Sequence, residues 1–465
     1  MDQRPLRVAV VGSGPSGIYA AEALTRQNVM PVEIDVLDRL PTPFGLVRYG
    51  VAPDHLSIRG IRETLWRLLR NPAVRFLGNV ELGTDLTVDE LRQHVDAVIY
   101  TFGAARDRRL GIPGEDLPGS LAATDLVAWY CGHPDASRGP VEEALRTARS
   151  AVVVGVGNVA LDVARVLARC GALDHTDMPQ HVLGALGSCP VRDVHVLGRR
   201  APAHAAFTTK ELRELGKIEG VEVRVDPEDL APEPVGDAVL ASNRAAARNV
   251  DVLREWAEHP NPGGQAAGVH LRFFTRPVEI LGTDRVEGVL VERTRFDPDG
   301  RLVGTGEQTV IEAQLVVRSV GYRGVALPGL PFDTATNVVP HDRGRVVRDG
   351  VAAPGEYVAG WIKRGPTGVI GTNKSDAHES VATLLADADL SALPAPAHPR
   401  RQALTDLLAA RGVQVFTLDD WQTIDAAEKA LGQTRGRDRT TLHSRSELLA
   451  AVSTEGRRLD APATS

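Results

Sequence analysis

The sequence predicts an α/β protein, and two observations carry the prediction. Twice, a short apolar run leads into a glycine-spaced turn and then a helix, once near residue 6 and once near residue 151. Each time a second apolar run follows and ends on charge, Asp38 in the first copy and Arg199-Arg200 in the second.

The first copy opens with Leu6-Arg7-Val8-Ala9-Val10-Val11, a β-branched run of the kind buried in a parallel sheet. Gly12-Ser13-Gly14-Pro15-Ser16-Gly17 has the spacing G-x-G-x-x-G, and Ile18–Leu24 reads as a helix. The next strand, Val32–Leu37, reaches Asp38, 21 residues beyond Gly17. Gly12 permits the tight turn. Gly14 removes a side chain where a pyrophosphate would approach the backbone, and Gly17 lets helix and strand pack closely. The helix N-terminus offers unpaired N–H groups and a positive dipole end to phosphates. Asp38 can accept hydrogen bonds from ribose hydroxyls.

In the second copy Ala151–Val154 is the strand, Gly155-Val156-Gly157-Asn158-Val159-Ala160 is G-x-G-x-x-A, and Leu161–Leu167 continues as a helix. A loop rich in His, Pro and Gly is expected over 171–190. A strand over Val191–Leu197 then ends in Gly198-Arg199-Arg200. Guanidinium groups there suit a 2′-phosphate, which they grip in a bidentate fork; an acid would repel it. The second copy therefore reads as an NADP site. Two such Rossmann-like folds in one chain fit one tightly held dinucleotide and one exchanging partner, and FAD at the first site is the simplest assignment.

Composition narrows the class. With 53 Lys+Arg against 60 Asp+Glu among 465 residues, the net charge of −7 argues against a generally basic nucleic-acid binder. A 43% apolar and 24% charged chain is neither disordered nor fibrous. Cys131, Cys170 and Cys189 have no C-x-x-C spacing, so no disulfide framework, dithiol centre, zinc site or iron–sulfur set is expected, and no metal. A reducing, cytoplasmic setting fits. No run of 18 apolar residues exists to span a membrane. Arg4 and Arg7 before Val8–Val11 do not make an export signal, because Gly12–Pro15 breaks the run.

Four further blocks carry a family resemblance. They are Leu40-Pro41-Thr42-Pro43-Phe44-Gly45-Leu46-Val47-Arg48 with Gly50–His55, Ala206–Leu215 after the arginine pair, Val317–Tyr322, and Gly360–Thr372. Together with the glycine loops the chain resembles adrenodoxin reductase and its actinobacterial FprA-type relatives, the NADPH–ferredoxin reductases, over about residues 6–376. The resemblance implies two Rossmann-like dinucleotide-binding domains, the NADP domain inserted into a discontinuous FAD domain. The boundaries expected are 1–107 and 325–465 for the FAD domain and 108–324 for the NADP domain.

On the FAD side the resemblance implies Gly12, Gly14, Ser16 and Gly17 at the pyrophosphate and Asp38 at the ribose, where relatives often carry Glu. Leu46 would pass the flavin and Val80 lie near the adenine. Trp361, Gly368, Val369 and Ile370 would form the second half of the flavin site. Helix N–H groups following Ile370 would face the flavin's N1/O2 edge. On the NADP side it implies Val156, Gly157, Asn158 and Val159 at the pyrophosphate and Arg199 and Arg200 at the 2′-phosphate. Arg108 would lie near the cofactor, and Glu211 and Gly368 toward the nicotinamide. Ala201 and His204 depart from the family pattern and put the local loop in question. His55, with an ordinary pKa near 6.5, and Glu211 are the catalytic candidates; Asp162 is expected as a partly exposed helix carboxylate.

Residues 226–236 are expected as a polar loop, 237–258 as one helix, 393–399 as a stiff linker and 453–465 as a frayed tail. Arg244 and Arg248 share a helix face and are the candidate docking residues for an acidic ferredoxin. The implied activity is FAD-dependent: hydride from NADPH to FAD, then single electrons to a separate, soluble ferredoxin that could feed a cytochrome P450 or similar oxygenase. Two alternatives stay open. One is an NADPH diaphorase or quinone reductase using small acceptors, the other a non-catalytic flavin-binding electron-transfer subunit or sensor.

Overall fold

A computed structural model describes residues 4–55, 60–259, 267–389 and 391–459. The chain divides into two compact units. One comprises 1–51, 55–106 and 322–465; the other comprises 52–54 and 107–321.

The first unit is built on a seven-stranded sheet. Its parallel centre runs Val351–Val358, Ala97–Tyr100, Leu6–Val11, Val32–Asp38, Val74–Gly78, and two short antiparallel strands, Arg345–Arg348 and His341–Asp342, extend one edge. Within Leu6–Val11 the apolar run Val8–Val11 is continuous because both faces are covered. Val8 and Val10 enter one buried cluster, while Ala9 and Val11 enter the cluster on the opposite face.

The second unit repeats this logic. Six parallel strands run Ser120–Ala122, Leu315–Arg318, Ser150–Val154, Asp193–Leu197, Ala267–Arg272, Val221–Val225. Ala151 and Val153 face one cluster, Val152 and Val154 the other. An antiparallel three-stranded sheet, Thr275–Leu281, Gly288–Phe296 and Leu302–Glu312, belongs to the same unit.

Several local expectations are corrected. The loop over 171–190 contains a helix, Gln180–Gly187, whose Val182, Leu183 and Leu186 are buried; Gly184 and Gly187 disguised its apolar face. The strand expected from Val191 begins at Asp193. The polar loop 226–236 holds a 3₁₀ turn, Pro227–Leu230, and already starts a helix at Pro234. The single helix over 237–258 is two, Pro234–Ser242 and Arg244–Glu258. Asn243 interrupts them and caps the second, its side chain accepting from the N–H groups of Ala245 and Ala246. The segment from 453 continues a helix to Leu459; residues 460–465 lie outside those described.

Candidate functional site

In the first unit the glycines of the first loop separate by what surrounds them. Gly12 has φ +111°, and a Cβ there would lie 2.8 Å from the Thr101 carbonyl oxygen. A Cβ on Gly17 would sit 1.9 Å from the Gly12 carbonyl oxygen, so only hydrogen fits. A Cβ on Gly14 would meet nothing within 4 Å. Gly14 is also the N-cap of the helix Pro15–Arg26 and gives it no side-chain cap, which leaves the N-terminal N–H groups open. The turn is thus packed shut on two sides and open where a phosphate would approach.

Asp38 does more than end its strand. Its Oδ2 accepts from Ser13 N–H at 2.9 Å and from the Ser13 hydroxyl, and its Oδ1 accepts from Leu40 N–H at 2.9 Å. Desolvation pushes its carboxyl above the usual range, against these three bonds that favour the charged form. The acid braces the glycine loop itself, with one lone pair left on Oδ1.

Two remote segments close on this loop. Phe44 N–H donates to the Ser13 carbonyl at 3.0 Å, and a Cβ on Gly45 would come within 3.1 Å of Gly14 Cα. Leu46 follows as the first residue of the helical turn Leu46–Tyr49. From the other end of the chain, Asn373 Oδ1 accepts from the Ser16 hydroxyl at 2.8 Å and from Arg364 Nη2 at 3.0 Å. Gly360, at φ +80°, packs against Ser16: its Cβ would lie 2.2 Å from Ser16 Oγ. Asp376 accepts from Gly360 N–H and pairs with Lys363 at 2.9 Å. Trp361 opens the turn Trp361–Arg364, its ring 5.3 Å from that of Tyr322. The helix expected from Ile370 begins at Thr372, whose hydroxyl accepts from Val369 N–H.

Leu46 and Val369 are among only five large apolar side chains exposed among the described residues, at 39% and 58%. Both stand on the loops flanking the open glycine turn, where a flat apolar ring would cover them. Val80 differs: its side chain is buried in the core and its N–H donates to the Asp38 carbonyl at 2.9 Å. His55 is buried.

The structure also shows residues that sequence reasoning missed. Arg48 is buried and pairs with the fully buried Glu428, which also takes Arg439 at 2.8 Å. The Arg48 guanidinium lies 5.0 Å from the Trp421 ring, and Trp421 meets Phe44 edge-on at 5.7 Å. The helix Leu418–Gln433 thereby anchors the loop that carries Leu46. Nothing local to either residue announces a partner 380 positions away.

In the second unit Gly155 has φ +129°, and its Cβ would meet Ser319 O at 2.2 Å. Gly157, the uncapped N-cap of the helix Asn158–Ala168, again leaves its Cβ position open. Asn158 and Val156 are backed by the following segment: Asn158 Oδ1 accepts from Thr208 N–H at 2.8 Å, and the Val156 carbonyl accepts from Ala206 N–H at 2.8 Å. Arg199 and Arg200 are exposed, with their carbonyls pinned by Thr294 and Phe274. Arg108 is exposed, its N–H donating to the Gly321 carbonyl at 2.9 Å. The altered loop after Arg200 forms a 3₁₀ turn, Pro202–His204, with the His204 ring 5.4 Å from Phe296.

Glu211 is buried, third in the helix Thr209–Leu215, and its N–H donates to the capping hydroxyl of Thr208. Asp162 is buried rather than partly exposed, because Arg165 pairs with it at 2.8 Å. Arg165 also reaches Asp54 at 2.8 Å and stands 3.9 Å from Glu211, and Arg169 adds a second cation 3.1 Å from Asp54. Burial alone would raise the Asp54 carboxyl, but the two guanidinium groups hold it below its usual range.

Two sheets with parallel centres, each with a strand that ends in a glycine loop before an uncapped helix N-terminus, mark an oxidoreductase that binds two dinucleotides. The model of the pyridine nucleotide-disulphide oxidoreductase family matches residues 6–228. NADPH-ferredoxin reductase FprA of Mycobacterium tuberculosis is 45% identical over 463 residues, 96% of this chain and 99% of that protein. The mitochondrial NADPH:adrenodoxin oxidoreductase of Arabidopsis thaliana is 39% identical, over 97% and 96% of the two chains. The solved structure of M. tuberculosis FprA in complex with NADPH superposes with a TM-score of 0.89 at 44% identity, covering 97% of this chain and all of the other. The chain belongs to this family of FprA-type and adrenodoxin-type reductases.

Proposed function

We propose that this protein is an FAD-dependent NADPH–ferredoxin reductase in which the first unit holds FAD and the second exchanges NADP(H). The observation that carries the assignment is the contrast between the two open turns. Gly14 lies between a bracing acid and two covering loops, whereas Gly157 is followed in the fold by an exposed arginine pair. FAD, when bound, supplies the conversion of a two-electron hydride into single electrons.

The chain's own residues do the rest. The N–H groups after Gly14 bind the first pyrophosphate, and Asp38 orients its ribose while holding Ser13. Leu46, Trp361 and Val369 cover the ring and exclude water, and the N-terminus of the helix Thr372–Asp389 faces its polar edge. Gly157 and Asn158 take the second pyrophosphate, Arg199 and Arg200 its 2′-phosphate, with Arg108 beside them. Glu211 and His55 are the buried titratable residues assigned to the nicotinamide end. The domain boundaries near 107 and 324 separate the two functions.

For the protein partner, Arg213 and Arg248 line one open hollow of about 580 Å³ with Phe207, Thr208 and Asn249. Arg244 is exposed at the start of the same helix as Arg248. An acidic iron–sulfur protein would be steered to this basic rim. Among the described residues no helix is long and apolar enough to cross a membrane. Three cysteines without C-x-x-C spacing fit a reducing, cytoplasmic setting for the enzyme. The test is steady-state turnover with NADPH and an acidic ferredoxin against the same assay with a dye or quinone. Ferredoxin-coupled turnover well above that with small acceptors supports this reading. The reverse order would make the protein a diaphorase.

A further inference from the structure

Asn373 holds together three stretches of the first unit. Its Oδ1 accepts from the Ser16 hydroxyl at 2.8 Å and from Arg364 Nη2 at 3.0 Å, and its Nδ2 donates to the Ile370 carbonyl at 3.1 Å. The partners fix which way the amide lies. A guanidinium only donates and a carbonyl only accepts, so the amide oxygen must face Arg364 and the nitrogen must face Ile370. The Ser16 hydroxyl meets that same oxygen and is therefore the donor. Ser16 and Asn373 are each only 8% exposed, so their bond forms where the local dielectric is low and is strengthened by it.

Asp376, three residues further along the same helix face, fastens the neighbouring turn a second time. It accepts from Gly360 N–H and pairs with Lys363 at 2.9 Å and with Arg364 at 3.5 Å. Arg364 is thus held by both Asn373 and Asp376, while its Nε is buried without a hydrogen-bond partner among the described residues. A donor left unpaired in this way weakens the fold, so the guanidinium is not placed there for its own satisfaction.

We propose that Asn373 is a positioning residue that locks the pyrophosphate turn to the turn over the flavin ring, and that the Ser16 hydroxyl serves this lock rather than the phosphate. The proposal rests on the assignment of FAD to the first unit. A serine hydroxyl has one proton to give, and a phosphate oxygen needs a donor. With that proton on Asn373, Ser16 offers the pyrophosphate its backbone N–H alone. Pro15 has no N–H, so this is the first backbone donor of the helix Pro15–Arg26. Through Arg364 and Ile370 the same amide holds both ends of the segment 364–370, which carries Gly368 and Val369. A displacement at Ser16 is therefore passed to the residues that cover the ring.

The test is FAD release from the holoprotein, followed by flavin fluorescence after dilution, in Ser16→Ala, Asn373→Ala and the double variant. Loss of one buried hydrogen bond should speed release about tenfold in Ser16→Ala. Asn373→Ala also frees Arg364 and Ile370 and should release faster still. The double variant should match Asn373→Ala, because the Ser16 bond is already gone. The absorption bands of the flavin still bound to Ser16→Ala should shift in the same direction as in Asn373→Ala, which a general loss of stability would not produce. Release unchanged in Asn373→Ala, effects that multiply in the double variant, or wild-type flavin bands in Ser16→Ala would each overturn the proposal with FAD still in its place. The bands of Ser16→Ala decide the matter even where Asn373→Ala does not fold. A wild-type protein that takes up no FAD would instead overturn the FAD assignment, and the proposal with it.

Discussion

The two glycine loops share a backbone plan and differ in what is placed around it. The first is enclosed: Asp38 ties down Ser13, Gly45 presses on Gly14, and Gly360 presses on Ser16. The second is backed on one side by the 206–208 segment and faces exposed arginines on the other. Enclosure by segments from three parts of the chain suits a dinucleotide that stays. A rim of exposed, charged side chains suits one that comes and goes, because charge steers encounter while few contacts need to break on release. One loop design thus serves a resident cofactor and a diffusing one, and the difference is written in the neighbours.

The most drastic way to break the comparison is at the packed glycines. Gly17→Val forces a side chain into the Gly12 carbonyl at 1.9 Å and is expected to cost more than about 4 kcal/mol, the range of severe core lesions. The chain should fail to fold, read as loss of soluble protein and of the circular-dichroism transition. Gly155→Val should do the same in the second unit, where the contact is 2.2 Å.

Gly14→Val sharpens the comparison, because its Cβ meets no protein atom. The variant should fold with near-normal secondary structure and be purified colourless. A yellow Gly14→Val protein would remove the pyrophosphate from that turn. Next in size is Arg199→Ala with Arg200→Ala. Charge-assisted hydrogen bonds contribute about 1.5–3 kcal/mol each, so loss of the pair should raise the KM for NADPH by about 10²-fold or more. The KM for NADH should move less than about threefold, and FAD content not at all. Equal effects on NADPH and NADH would detach the arginines from the 2′-phosphate. The smallest effect is expected at the hollow's rim. Arg213→Glu with Arg248→Glu should lower the ferredoxin association rate about tenfold at low salt, fading as ionic strength rises. Turnover with dyes should stay unchanged.

How much of this could be read from the sequence follows from distance along the chain. Each glycine loop, its strands and its terminal charge lie within one strand–helix–strand segment, so spacing alone revealed both. The two-faced burial of Val8–Val11 and Ala151–Val154 followed from their continuous apolar runs. The enclosure of the first loop was hidden, because it depends on pairs such as Ser16 with Asn373 and Arg48 with Glu428, 357 and 380 residues apart. Asp38 was legible as a ribose acceptor by position, while its bonds to Ser13 and Leu40 were not, since they require the turn to fold first. Asp162 looked like a surface carboxylate until Arg165 and Asp54 were brought together across 111 residues. The helix Gln180–Gly187 was masked by glycines that sequence reasoning assigns to loops.

The division of labour between the two loops is tested most directly by anaerobic stopped-flow mixing of the FAD-loaded protein, first with NADPH or NADH and then with an acidic ferredoxin. NADPH should bleach the flavin absorbance far faster than NADH at equal concentration, and the ferredoxin should restore it in single-electron steps. A flavin that NADPH does not bleach, or that NADH bleaches equally well, would contradict the assignment of FAD to the enclosed loop and NADP(H) to the arginine-rimmed one.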